Sequence, residues 1–267
     1  MPHFEHKVVV VTGASSGIGR ALVLALAAQR PRLVLAARDA ARLAEVAQAC
    51  RAAGAQALVV PTDVTEPEQC RGLVDRTIAE YGAIDALVNN AGVGMIHRFD
   101  ETTDLGKFEQ LMRVNYLGYV YATFHALPHL KRSRGLIVAV SSLTGLAGVP
   151  TRTGYAASKH AVIGFFDSLR IELLDSGVGV TIVCPDFVVS EVHRRAFGPD
   201  GQPLGRTQMD ESKVMSAETC ARLMVRAMEN RERLAVLSAR GRVARWVRLV
   251  APGLIDRLAH RVVRTGR

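Results

Sequence analysis

Thr12-Gly13-Ala14-Ser15-Ser16-Gly17-Ile18-Gly19 follows a short β-branched run, Lys7–Val11, and leads into a helical pattern, Ile18–Gln29. The order is strand, glycine-rich turn, helix. Glycines let the chain turn tightly and bring its backbone close to a ligand. The helix N-terminus that follows offers free N–H groups and positive potential, which suits a pyrophosphate. A glycine triplet alone is equally an ordinary tight turn. Its place after the first strand and before a helix favours nucleotide binding. Gly13, Ser15, Ser16, Gly17, Ile18 and Gly19 are therefore candidate cofactor contacts.

Working outward, strands and helices alternate. Strands are expected at Arg32–Ala37, Gln56–Val60, Ala86–Val88, Leu136–Val140, Val178–Cys184 and Leu234–Leu237. Helices are expected from an Asp39 cap through Ala53, over Glu66–Tyr81, over a long region Asp104–Leu130 ended by Pro128, and over Gly154–Asp175 and Ser216–Asn230. This alternation predicts an α/β fold: a doubly wound, Rossmann-type parallel sheet of about seven strands, helices on both faces, ligand at the carboxyl ends of the strands. Residues 186–215 carry many Gly, Pro and polar residues without periodicity, the mark of a lid or binding loop, or of disorder.

At 267 residues, 49% of them apolar, the chain can bury a substantial core. The N-terminus has no apolar leader pattern, and no apolar run reaches the length of a membrane span. Cys50, Cys70, Cys184 and Cys220 are far apart and read as reduced structural thiols in a cytoplasmic protein. No metal-ligand cluster stands out. The formal charge is +9, and ten arginines against Glu232 and Asp256 in residues 231–267 supply +8 of it. A globally basic nucleic-acid binder is thereby disfavoured. Residues 1–238 read as the catalytic domain and 239–267 as a basic helical appendage.

Tyr155 and Lys159, four residues apart, share a helix face. An ammonium beside a phenol favours the phenolate, making tyrosine a usable proton donor and acceptor. Ser142 lies 13 residues upstream, after an apolar strand. At the end of the second strand stands Ala36-Ala37-Arg38, where NAD binders usually place an acid for the ribose 2′-hydroxyl. Arg38 suits a 2′-phosphate instead, and Ser15 could add a hydrogen bond. NADP(H) is the preferred cofactor. NAD(H) is the alternative, with Asp39 doing the ribose work in place of capping a helix.

Taken together, Thr12–Gly19, Asp63-Val64, Asn89-Asn90-Ala91-Gly92, Asn115, Ser141-Ser142, Tyr155-x-x-x-Lys159 and Pro185 resemble the short-chain dehydrogenase/reductase family over roughly residues 7 to 237. The resemblance implies that Asp63 binds the adenine amine, that Val64 helps hold the ring and that Asn90 lies along the cofactor. Asn89-Asn90-Ala91-Gly92 would also stabilise the central sheet. Asn115 would hold a water in a proton relay. Ser142 would hydrogen-bond the substrate oxygen, and Tyr155 would exchange the proton. Lys159 would bind the nicotinamide ribose and lower the pKa of Tyr155. Pro185, Val188 and Ser190 fall in the segment that binds the carboxamide. The family also implies a homo-oligomer. A protein of the same fold that senses NADPH without turnover is the alternative, disfavoured because sensing does not need the full catalytic set.

The family usually follows Pro185 with glycine, and this chain has Asp186. A carboxylate there is expected to favour the oxidised, positively charged cofactor. The substrate is expected to be an apolar carbonyl or alcohol, lined by Gly94–His97, Leu143–Val149 and the loop 186–215. His97 and His193 read as exposed loop side chains. Met224 and Met228 share a helix face and read as core. In the tail, Val243, Trp246, Val247 and Val250 fall on one face and Arg242, Arg245 and Arg248 mainly on the other. After Pro252-Gly253, Leu254, Ile255, Leu258 and Val262 repeat the pattern beside Arg257, Arg261 and Arg264. Residues 240–267 thus suit either docking on the domain or a neighbouring subunit, or peripheral membrane contact.

Overall fold

The computed structural model describes residues 3–188, 191–192, 194–205 and 214–265, with side chains through 261 in the last helix. Among them, seven parallel strands form one sheet: β1 (Val8–Thr12), β2 (Arg32–Ala37), β3 (Gln56–Pro61), β4 (Ala86–Asn89), β5 (Leu136–Val140), β6 (Gly179–Cys184) and β7 (Leu234–Val236). Their order is β3-β2-β1-β4-β5-β6-β7. Order reverses between β1 and β4, which opens a crevice at the carboxyl ends of the strands.

The valine run of β1 shows how the core is divided. Alternate side chains of a strand point to opposite faces. Val9 and Val11 pack with α1 (Gly17–Ala27), α2 (Ala40–Ala52) and α7 (Ala217–Glu229). Val8 and Val10 pack with α3 (Pro67–Tyr81), α5 (Gly118–Ser133) and α6 (Thr153–Glu172). Both faces are covered, so β1, β4 and β5 are buried along their whole length. Met224 and Met228 are fully buried, as their spacing implied. The four cysteines are buried and unpaired. Asp39 caps α2, accepting from the Arg42 N–H at 3.0 Å.

Two expectations fail here. The region 104–130 is not one helix. It comprises α4 (Gly106–Met112), a π-helical turn at Arg113–Leu117, and α5. In the π turn, the Gly118 N–H donates five residues back to the Arg113 carbonyl. Such turns re-aim side chains within a helix and are frequent at functional sites, and this one carries Asn115. Pro128 does not end α5 but sits inside it. Its missing N–H would have met the carbonyl of Phe124, whose side chain is 72% exposed, so water can satisfy that group.

The described part of the loop after β6 is fastened to the domain. Phe197 pairs with the loop after β4: its N–H donates to Gly94 O at 2.9 Å and its carbonyl accepts from Ile96 N at 3.0 Å. Met95, Leu111 and Phe197 make a small separate core. His97 is buried, not exposed, with Nε2 at 3.0 Å from Thr102 Oγ1 and Nδ1 at 3.4 Å from Phe197 O. His193 lies outside the described residues. The tail forms α8 (Ala239–Val250) and α9 (Pro252–Thr265).

Pro128→Ala restores a helical hydrogen bond at an exposed position. It is expected to raise stability by about 1–3 kcal/mol, a gain of several degrees in thermal melting. An unchanged or lowered Tm would show that the proline is required by its packing.

Candidate active site

The glycine-rich turn is held against the loop after β4. Gly13 has a φ of +67°, and a Cβ on it would stand 2.8 Å from Ala91 Cα. A Cβ on Gly19 would overlap the Gly13 carbonyl oxygen. Thr12 Oγ1 accepts from the N–H groups of Asn90 (2.9 Å) and Ala91 (3.1 Å). The Asn90 amide donates back to Thr12 O at 2.9 Å and Gly13 O at 3.3 Å. Asn90 is thus spent on holding the turn. Ser16 is the extended N-cap of α1, and its side chain makes no capping bond. The ordinary cap would consume an N–H of the first turn; here those donors are left to a ligand. Ser15 is half-buried beside it, and Ile18 packs on the core.

Arg38 is exposed at the end of β2 and makes no hydrogen bond or ion pair among the described residues. Asp39 is occupied by its cap and by Arg42 Nε at 3.4 Å. Asp63 Oδ1 accepts from Thr65 N (3.0 Å) and Thr65 Oγ1 (2.8 Å). The Val64 side chain is buried against Gly118, and its carbonyl accepts from Cys70 Sγ at 3.6 Å. Gly92 faces the catalytic helix: a Cβ there would lie 3.3 Å from Asn115 Oδ1 and 3.7 Å from Lys159 Nζ.

Ser142 follows β5 and Tyr155 lies in the first turn of α6, and hydrogen bonds brace these segments against each other, the end of β6 and the loop after β4. Ser141 Oγ donates to the Lys159 carbonyl at 2.9 Å. The Leu143 N–H donates to Pro185 O at 3.0 Å. Asn115 Nδ2 donates to Ser158 Oγ and to Val93 O, both at 3.0 Å, while its Oδ1 accepts from Val93 N at 2.8 Å. The Asn115 side chain therefore braces α6 against the loop after β4. Ser142 Oγ accepts from Thr144 N at 3.2 Å, and the Ser142 hydroxyl pulls the pKa of the Tyr155 phenol down.

The electrostatics depart from expectation. Lys159 is buried, and burial lowers its pKa to about 7. Its Nζ donates to Val140 O at 2.8 Å and to Tyr119 Oη at 3.3 Å, since a buried ammonium needs acceptors. It lies 5.8 Å from the Tyr155 ring centroid. Burial raises the pKa of Tyr155. The groups that pull it back down are the Arg152 guanidinium and the Ser142 hydroxyl, not Lys159. Arg152 is only 8% exposed. It stands 5.3 Å over the Phe187 ring and makes no hydrogen bond from its side chain among the described residues. Among buried groups a lone guanidinium is costly, so its position beside the reactive phenol is informative.

Comparison with known proteins decides the family. The model for short chain dehydrogenase matches residues 7–199. The chain belongs to the short-chain dehydrogenase/reductase family. It is an oxidoreductase of that family and is 38% identical over 256 residues to 11-beta-hydroxysteroid dehydrogenase A of Sesamum indicum, covering 94% of this chain and 73% of that protein. It is 37% identical over 257 residues to 11-beta-hydroxysteroid dehydrogenase 1A of Arabidopsis thaliana, with the same coverage, 94% and 73%. Among solved structures, a short-chain dehydrogenase/reductase from Burkholderia phymatum in complex with NAD superposes with a TM-score of 0.84 at 28% identity, covering 95% of this chain and 96% of that one. An alcohol dehydrogenase from the archaeon Thermococcus sibiricus complexed with 5-hydroxy-NADP gives 0.73 at 26% identity, covering 86% and 94%.

This dehydrogenase carries an unusual segment after β6. Asp186 is buried, yet its charge is not available to a bound cofactor. It accepts from Arg240 Nη2 at 2.8 Å, Ser238 Oγ at 2.7 Å and the Phe187 N–H at 2.8 Å. Burial raises its pKa, and these partners more than reverse that, holding it below the ordinary value. The expected bias toward oxidised cofactor loses its basis, because the neutralising cation comes from α8. Arg240 also lies 5.7 Å over Phe187, so that ring sits between two guanidinium groups. Val188 is buried and bridges to Met215. Ser190 lies outside the described residues.

Sequence reading missed Arg152, Tyr119 and Arg240. Arg152 was recoverable, being three residues before Tyr155 on the same helix face. The Asp186–Arg240 pairing spans 54 residues, and no local pattern announces it.

Arg240→Ala is expected to cost about 1–3 kcal/mol at pH 7 by leaving a buried carboxylate short of partners. The folded pKa of Asp186 is depressed, so the pairing stabilises above the unfolded carboxylate pKa of about 3.9 and fades as pH falls through the folded value. The deficit of Arg240→Ala should therefore shrink in acid, and Asp186→Gly with Arg240→Ala should recover most of it in chemical denaturation. Arg152→Met removes a group that lowers the Tyr155 pKa, so the limb of the pH–rate profile for alcohol oxidation should move to higher pH. A limb that stays in place would remove Arg152 from the reaction.

Proposed function

We propose that the protein is an NADP(H)-dependent oxidoreductase that interconverts a carbonyl and a secondary alcohol on an apolar substrate. The observation that carries this reading is the placement of Ser142 just beyond β5 and of Tyr155 in the first turn of α6, its ring centroid 5.8 Å from Lys159 Nζ. A carbonyl oxygen placed against both accepts a hydrogen bond from Ser142 and the proton from Tyr155. Both donors aim where negative charge develops, which is the largest catalytic contribution a site of this kind makes. In the oxidation direction Tyr155 takes the proton back, its phenolate supported by Arg152 and Ser142.

The chain fits a dinucleotide. Gly13 and Gly19 of the turn have no room for a side chain, and α1 begins without a side-chain cap. Gly13, Ser15, Ser16, Gly17 and Ile18 would hold the pyrophosphate. Asp63 and Val64 would hold the adenine. Gly92, Lys159 and Val188 would hold the nicotinamide side. When bound, the cofactor supplies or accepts the hydride. Arg38, exposed and without a partner among the described residues, favours a 2′-phosphate. The Burkholderia phymatum relative bound to NAD favours NAD(H) as the second reading.

Leu143, Leu146, Val149 and Phe187, which follow Ser142 and Pro185, supply apolar surface. Together with the relatives named as hydroxysteroid dehydrogenases, they support a substrate of steroid-like size and polarity. NADPH oxidation across ketosteroids and smaller apolar ketones tests this. Tyr155→Phe is expected to lower turnover at least a thousandfold, roughly the effect of losing a general acid, with NADPH binding unchanged. Arg38→Asp is expected to exchange the cofactor preference toward NADH. Turnover retained in Tyr155→Phe would sink the mechanism, and an unaltered NADPH/NADH ratio in Arg38→Asp would reassign the cofactor.

A further inference from the structure

We propose that α8 and α9 dock this enzyme on an anionic lipid bilayer, lying along its surface. The two helices pack on each other. The first turn of α8 is fixed to the catalytic domain. Gly241 presses on Leu143, Arg240 and Ser238 hold Asp186, and Arg242 Nη1 donates to Val236 O at 3.1 Å. Beyond that turn the apolar face is left uncovered. Val243, Trp246, Leu249 and Val250 on α8, and Leu254 and Leu258 on α9, are all exposed, Trp246 at 63% and Val250 at 84%. Among the described residues of the stripe, Val247 and Ile255 are half-buried, and the six named above face outward.

Charge identifies the occupant. Residues 239–267 hold eight arginines and a single acid, Asp256. Arg245 and Arg248 are exposed on α8 beside the apolar stripe, and Arg245 lies 5.3 Å over the Trp246 ring. A tryptophan between apolar and basic surface is the arrangement of a helix at the headgroup level of a membrane. No helix among the described residues is long and apolar enough to cross one, so the tail lies on the surface. A second copy of this chain is a poor occupant, because a two-fold contact through these helices sets arginine rows against each other with few acids to answer them. A soluble polyanion would satisfy the arginines and leave the apolar stripe in water.

Trp246 is the only tryptophan in the chain, so intrinsic fluorescence reads this face directly. Full-length protein is titrated with vesicles of mixed phosphatidylglycerol and phosphatidylcholine, and with phosphatidylcholine alone. On the anionic vesicles the emission should shift to the blue, acrylamide quenching should weaken and the protein should pellet. High salt should reverse all three. Leu249→Glu with Val250→Glu keeps the probe and should abolish binding without changing circular dichroism or turnover of a water-soluble substrate. Arg245→Gln with Arg248→Gln should weaken partition roughly 25-fold, about fivefold for each cation lost near the surface. Three results would overturn the proposal. They are an emission spectrum indifferent to anionic vesicles, equal pelleting of the Leu249/Val250 variant, or a smaller oligomer in that variant with no effect of lipid on the wild type.

Discussion

Thr12 and Asn90 tie the ends of β1 and β4 across the point where the strand order reverses, and the rest of the site hangs from that link. From Asn90 the chain runs three residues to Val93. Asn115 grips Val93 from the π turn before α5, and its amide reaches Ser158 on α6. Tyr155 and Lys159 stand on that same helix. The nucleotide turn and the reacting phenol thus share one hydrogen-bonded frame, and few of its members are free to move alone. This explains why Asn90 and Asn115 both serve structure: each spends its amide on the main chain or on a neighbouring helix, and the reacting groups inherit the resulting position.

Two buried cations, Lys159 and Arg152, stand near Tyr155, while Asp186 is held by Arg240. Burial nevertheless leaves the Tyr155 phenol above its ordinary pKa, and of the two cations Arg152 is the one that pulls it back toward the phenolate. Lys159 sits close to its titration range because burial brings its pKa to about 7, whereas Arg152 remains charged throughout. Division of labour between a titratable cation and a permanent one follows from side-chain chemistry alone.

Much of this was legible in the amino-acid sequence. Strands β2 and β5 begin where their composition says they should, because Pro31 and Gly135 stand immediately before them. The glycine turn, Asp39 as a cap and the Ser142–Tyr155–Lys159 set were readable from local rules. What escaped was anything that depends on distant partners. Lys159 turns to Val140 and Tyr119 for reasons of burial that no spacing reveals. Pro128 sits within α5 because the turn it interrupts faces water. His97 looked like a loop side chain and is buried, since Phe197 arrives from a hundred residues away to cover it.

The salt link between Asp186 and Arg240 makes the appendage inseparable from the catalytic loop it follows. Cutting the chain before α8 would strip a buried carboxylate of its cation and leave it only Ser238 and the Phe187 N–H. Grafting α8 onto a relative with glycine at position 186 would leave the arginine nothing to hold. The two side chains act as a unit, so an exchange at either position leaves the other without its partner, and the pairing couples the helix that follows β7 to the loop beside the reacting groups.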